Sequence, residues 1–465
     1  MPTAPEPSTR APEEDGEAGP GRWAVGGLAV GAVVLAAAMT VPWLTGVDVA
    51  AGGAPPLLGD WMVRYGPSSL AAVALVVASG VPAVRHRREQ LSWGWLLALS
   101  WPVSVVWMIS LALVDGIEGL GRILEHGTEY LGSARAADDV GGLLRTYVDR
   151  IPLDSPDNLP VHLAGHPPGA VLMFVALVRL GLESYLAVGL VVVAVAATVP
   201  AAVAVTLDRL GAREAARTVL PFLVLGPAAV LMAVSADAVF AATAAWGMAA
   251  LAAAGTASRP GSRWGSAVVA GLLLGWCLME SYGLVLLALL AVAVLLASPG
   301  TLRRRLATGA VSAAVALTVV LAFAPLGFAW WEAYPVLHER YWAGLADRRP
   351  GWYWVFGNLG ALLLCAGPML AAGLGVGAAR LPRLRRFRLR DRADAVGGLV
   401  LAGVATVAAA DLSLMSKAEV ERIWLPFVPW LLLSVTWLPL RWRRWGLPAQ
   451  GVAALLLAHL VRTVW

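Results

Sequence analysis

The stretch His162-Leu163-Ala164-Gly165-His166-Pro167-Pro168-Gly169 sets a histidine directly before a proline pair. Two prolines fix two φ angles and remove two backbone donors, so they can open a helix and hold the preceding side chain in one direction. An imidazole held in this way can ligate a divalent cation or donate to a phosphate oxygen, and so can His162 nearby; the plainer alternative is an exposed histidine at a helix start. Upstream, Asp115 is the first polar residue after an apolar run, in Leu113-Val114-Asp115-Gly116. A carboxylate at that boundary gives up part of its hydration and becomes a better base toward a hydroxyl acceptor, although an interfacial acid or helix cap would occupy the same place. Asp138-Asp139 is a rival acidic pair in the same polar stretch, and Glu129 is a further carboxylate suited to catalysis or metal binding.

Cations and rings follow later in the chain. Arg340, Tyr341 and Trp342 lie in one polar segment, Trp330 to Pro350, and Lys417 and Arg422 in another, Asp411 to Arg422. Arginine and lysine at the outer face of a membrane run against the usual charge bias and call for an anionic partner, either a lipid phosphate or a carboxylate such as Glu339 or Glu421. Tyr341, Trp342 and Tyr282 could stack on sugar faces, with Glu280 beside them for polar contact, but rings also populate any interfacial belt.

These residues need elements to position them, and composition restricts what those can be. Of 465 residues 59% are hydrophobic and 14% charged, too little polar surface for a soluble globule of this length. The mean hydropathy of +0.72 agrees. Apolar runs of span length recur along the chain, and runs such as Ala187 to Val205 are apolar on every face, which excludes the alternation of a membrane β-barrel. The expectation is an all-α, polytopic transmembrane bundle of about eleven spans.

The net charge of +5 does not point to nucleic acid, because most arginines sit in short connectors between apolar runs, where they mark cytoplasmic ends. Cys277 and Cys365 both lie in apolar runs and suggest neither a disulfide nor a metal framework.

Residues 1–22, rich in Pro, Glu, Gly and Ser and without an apolar stretch, are expected to form a disordered cytosolic tail; apolar runs and charge parity then predict two N-terminal spans over residues 23–92, the main module over 93–440, and a basic connector with a last span over 441–465. Residues 115–185 form one large outer loop. Its apolar end, Pro167 to Leu182, is too short for a crossing and is read as a juxtamembrane or re-entrant helix. Val219 to Val234, Val355 to Leu374 and Trp424 to Leu440 are read as single crossings. Alanine, valine and glycine abundance with arginine in place of lysine suggests a bacterial plasma membrane, with the N-terminus cytoplasmic and the polar loops outside.

The order of these features resembles the GT-C superfamily of membrane glycosyltransferases, which includes protein O-mannosyltransferases and aminoarabinose transferases. In those families an acidic residue follows a span in the first large outer loop and a His-Pro-Pro motif closes it; Asp115 and His166-Pro167-Pro168 match both elements. Ser235-Ala236-Asp237, Glu280-Ser281-Tyr282-Gly283 and Glu419-Val420-Glu421-Arg422 resemble later landmarks, so the similarity covers roughly residues 93–440. Here Gly169 follows the proline pair where leucine is frequent in the family.

The resemblance implies transfer of a sugar from a polyprenyl-phosphate donor to a glycan, lipid or protein acceptor, inverting if the displacement is single. It implies Asp115 as general base, Arg422, Lys417 and Arg340 on the donor phosphate, and His166 on phosphate or on a divalent cation such as Mg or Mn. A transporter or flippase of a lipid-linked or anionic solute, and a noncatalytic envelope assembly protein, are the alternatives.

Overall fold

The computed structural model describes residues 18–384 and 394–464. Most of the tail expected over residues 1–22, and the basic stretch 385–393, lie outside them. Almost every described element is a helix, and the single sheet is a two-stranded antiparallel pair, Gly59–Trp61 with Val461–Thr463. Among the described residues, seven helices are long and apolar enough to cross a membrane, and nine if each of two bent pairs counts as one crossing. The chain is a multi-pass helical membrane protein.

Polar side chains set where several helices begin. Ser184 accepts from Ala187 N at 3.1 Å, Thr301 from Arg304 N at 3.3 Å and Asp394 from Gly397 N at 2.9 Å, each satisfying a donor that the first turn leaves unpaired. The Ala236–Thr256 helix runs through the centre. Nearly all of its alanines are buried, and such small side chains let neighbouring helices approach closely where lipid offers no hydrophobic drive.

The expected first span, from Trp23, starts slightly earlier, in a helix over Ala18–Thr45. Three of the other expected crossings are broken as follows. Val219 to Val234 divides into Arg213–Val224 and Ala228–Met232 around Gly226-Pro227, and Trp424 to Leu440 yields only a short apolar helix, Val428–Trp437. Val355 to Leu374 becomes Gly351–Ala366 and Pro368–Leu381, bent by 111°. At that bend Gly367 takes φ +83°, open to glycine at little cost, and Pro368 cannot donate to the turn before it. Gln450, fully buried, closes the gap: its amide donates to Ala366 O at 2.8 Å and its carbonyl accepts from Met369 N at 3.1 Å.

Pro167 to Leu182 gives an 11-residue helix, Gly169–Arg179, of less than span length. A Cβ on Gly169 would lie 2.4 Å from Met279 O, so glycine after the proline pair lets this helix start against the end of Pro260–Glu280.

Arginine-rich connectors converge at one end of the bundle, where Arg217 donates to Glu89 O at 3.0 Å and Leu91 O at 2.9 Å. The large polar segments lie toward the other ends of the same helices, and they carry the site.

Candidate functional site

Arg422 is 2% exposed and is the hub of a buried charged cluster. One terminal nitrogen lies 3.1 Å from Asp237 Oδ2 and 3.7 Å from Glu129 Oε1; the other lies 3.7 Å from Glu419 Oε2 and 3.2 Å from His162 Nε2. A guanidinium only donates, so His162 Nε2 accepts and the ring proton sits on Nδ1, which is 2.9 Å from Glu129 Oε1. The cluster draws on distant parts of the chain: Glu129 precedes the helix Tyr130–Arg135, Asp237 lies in the first turn of Ala236–Thr256, and Arg422 lies in Val420–Ile423. The opening turn of a helix favours the Asp237 charge.

Burial pushes the Glu129 carboxyl up, but His162 and Arg422 outweigh it and hold it below its ordinary value. For Arg422 the balance is similar: burial lowers its pKa, while Asp237, Glu129 and Glu419 raise it further.

Glu419 connects to a second layer through Arg349, at 3.3 Å. Arg349 also donates to Lys417 O at 2.6 Å. Lys417 is the sole lysine in the sequence. Its ammonium donates to Ala346 O at 3.0 Å and lies 4.1 Å from the centre of the Trp342 ring, while its backbone N–H donates to Tyr341 Oη at 2.9 Å. Burial lowers the lysine's pKa and raises that of Tyr341.

The residues expected to act thus fall into separate groups. Glu129, His162 and Arg422 come together, and Lys417, Tyr341 and Trp342 join them through Arg349. The cations expected on a donor phosphate already hold protein oxygens: Arg422 serves carboxylates, and Arg340 donates to Ile151 O and, at 3.0 Å, to Leu159 O. His166 is half-buried and extended before the proline pair, and its Nδ1–H donates to His162 O at 2.8 Å. Burial lowers its pKa and favours the neutral ring.

Asp115 stands apart, paired with Arg64 rather than with either histidine. Its side chain remains 44% exposed, so the desolvation expected of a residue directly after an apolar run is largely absent. Asp139 caps the helix Val140–Thr146, accepting from Gly142 N at 2.8 Å, and faces Arg145 at 3.5 Å; its neighbour Asp138 is exposed. Glu280 is buried and accepts from Thr243 Oγ1 at 2.9 Å, and Tyr282 packs against Trp330 with ring centres 5.1 Å apart.

Among the described residues, no three His, Cys, Asp or Glu side chains gather as a metal-ligand set. His162 and Glu129 touch, and the Arg422 guanidinium contacts Glu129 and Asp237, supplying positive charge where a divalent ion would. The donor set therefore does not fit the expected cation.

No known family, curated protein or solved structure matches this chain. The site has to be read from its own chemistry.

An apolar groove of about 370 Å³ runs between the first helix, the bend at Gly367 and the last helix, Leu440–Leu460. Trp61, Leu460 and Val461 line one end of it. Arg64 donates to Val461 O and, at 2.8 Å, to Ala458 O while holding Asp115, so it links the Asp115 carboxylate to the end of the last helix, whose Leu457, Leu460 and Val461 line the groove.

Sequence reasoning passed over Arg64 and Arg349, although both stand in polar segments away from the basic connectors, the signal that singled out Arg340 and Arg422.

Glu421 provides a test of this region. It is fully buried, accepts weakly from Leu58 N at 3.5 Å, and burial pushes its pKa from 4.5 up to about 7. A carboxyl whose folded value exceeds its unfolded one stabilises the fold most at low pH and loses that contribution as pH rises from 4.5 to about 7. Glu421→Gln should therefore raise Tm relative to wild type at pH 8, by an effect on the order of 3 kcal/mol, and much less at pH 4.5. Equal shifts at both pH values in a thermal melt would refute the assignment.

Proposed function

We propose that this protein is a membrane glycosyltransferase of GT-C type, moving a sugar from a polyprenyl-phosphate donor to an extracytoplasmic glycan, lipid or protein acceptor. The observation that carries this reading is the link that Arg64 makes between Asp115 and Val461, a residue lining the apolar groove. A lipid tail lying in the groove would bring its phosphate towards Arg64, which would exchange its bond to Asp115 for the phosphate and so free the carboxylate beside the adjoining sugar. In this reading the arginine-rich end and the N-terminus face the cytoplasm and the site lies outside a bacterial plasma membrane, with about eleven passages of the chain; the clustering of arginines in short connectors at one end supports it.

In the reaction, the acceptor hydroxyl attacks the anomeric carbon while Asp115 takes its proton. The bond from that carbon to the donor phosphate oxygen breaks, its electron pair leaves with the phosphate, and Arg64 offsets the added charge. A single displacement inverts the anomeric centre. The Arg422 cluster touches none of the reacting atoms in this scheme and acts by fixing the outer segments to the helix ends.

The test is transfer of radiolabelled sugar from a panel of polyprenyl-phosphate donors by purified protein in liposomes. Asp115→Asn should reduce the rate by about a thousandfold with fold and expression unchanged. An Asn variant as fast as wild type removes Asp115 and turns attention to Asp138-Asp139; wild type inactive on the whole panel counts against the transferase.

A second reading, transport of a lipid-linked or anionic solute, is favoured by the ionisable residues buried where helix ends meet. It predicts flux of the intact solute without sugar transfer.

A further inference from the structure

At the arginine-rich end, three segments remote in sequence meet around a cavity of about 240 Å³: residues 85–89, 214–218 and 440–444. Five guanidinium groups line it, from Arg85, Arg88, Arg217, Arg443 and Arg444, against two carboxylates, Glu89 and Glu214. The lining thus carries an excess of three positive charges.

Arg213, in the same connector as Arg217, is neutralised by Asp208 at 2.5 Å. Among the described residues none of these five has a carboxylate oxygen within 4.0 Å. Arg217 spends its donors on Glu89 O and Leu91 O, and Arg443 reaches Thr218 Oγ1 at 3.4 Å, which fixes both side chains without cancelling their charge. Like charges gathered around a partly enclosed space repel one another unless an anion joins them, and guanidinium forks match phosphate oxygens in shape as well as charge.

We infer that this cavity binds the phosphate headgroup of an anionic phospholipid. Its position decides between a lipid and a free phosphate. It lies at the ends of helices that cross the bilayer, and Leu96 and Phe222 give it an apolar wall against which the glycerol end of a lipid can rest. The bound headgroup would bridge the three connectors and hold the helix ends together. This site is independent of the transfer chemistry at the opposite end.

The experiment uses the full chain, purified and stripped of lipid in detergent. Phosphatidylglycerol, phosphatidylcholine and inorganic phosphate are titrated separately, with retained lipid read by native mass spectrometry and stability by thermal melt. Phosphatidylglycerol should bind and raise Tm by several degrees, and phosphatidylcholine and inorganic phosphate should not. Arg88→Gln with Arg443→Gln should weaken phosphatidylglycerol binding about tenfold, while Arg303→Gln, an exposed arginine at the same end but outside the cavity, leaves it unchanged. Glu214→Gln, which removes an opposing charge, should tighten binding and so keeps the test valid if the double variant folds poorly.

Equal binding of phosphatidylcholine overturns the proposal, and so does undiminished binding by the double variant. A shift with inorganic phosphate alone would make the site one for a soluble anion and overturn the lipid assignment.

Discussion

Replacing Arg422 by methionine should destabilise the protein by about 3–5 kcal/mol, the cost of leaving buried carboxylates without their cation. Asp237 at 3.1 Å and Glu129 at 3.7 Å are each about 5% exposed, so water cannot replace the guanidinium. His162 would also lose the donor on Nε2 that sets its tautomer. Unfolding of the purified variants in detergent would measure the loss. Asp237→Asn combined with Arg422→Met should recover a large part of it, because the second change removes one of the stranded charges; with Asp237→Asn measured alone, the cycle gives the coupling energy of the pair.

The pH dependence has a definite sign. Glu129 titrates below its ordinary value in the folded state, so its contribution is complete above pH 4.5 and lost as pH falls through the folded value. The gap between wild type and Arg422→Met should therefore narrow in acid. A single variant within 1 kcal/mol of wild type would show that the cluster does not hold the long polar segments to the bundle.

Gln450→Leu should cost about 2–6 kcal/mol, from two buried backbone groups left unpaired at about 1–3 kcal/mol each. The glutamine amide is what completes the break between the helices ending at Ala366 and starting at Pro368. Leucine preserves apolar bulk but offers neither donor nor acceptor. Gly367→Ala should act at the same place by another route: a Cβ there would lie 2.2 Å from Gln450 Oε1, on a backbone with φ +83°. Thermal melts report the loss, and hydrogen exchange at Met369 N–H reports its location, since that proton should exchange faster in Gln450→Leu. Unchanged protection would mean that the bend holds without the glutamine. Because the bend also lines the apolar groove, both variants should weaken retention of a polyprenyl lipid on the native protein.

Why some of this was legible and some was not follows from which interactions are local. Span-length apolar runs announce helices whatever surrounds them, because hydrocarbon leaves backbone groups no partner outside the segment. The short helix after the proline pair was legible for the same reason, its apolar run being too short to cross. The bend at Gly367 carried a local mark as well, glycine followed by proline, but hydropathy averaged over a window passes smoothly across it. That it would be a stable 111° turn depended on Gln450, more than eighty residues later.

The site divides in the same way. The long polar segments and their carboxylates, histidines and arginines were apparent from residue type, including Glu129, His162 and Arg422. Their partners were not. Nothing near Arg422 in the chain indicates that Asp237 and Glu129 will surround it, or that Asp115 will meet Arg64 and stay half-exposed instead of buried.

The sequence by itself determined the solvent, the helical class and the inventory of ionisable groups, since these depend on composition and on apolar runs within single segments. Tertiary structure alone decided which charges neutralise each other, which remain in excess around the arginine cavity, and where a helix can break. Those outcomes rest on distances between segments far apart in the chain, and both Coulomb energy and hydrogen bonding are set by distance in space.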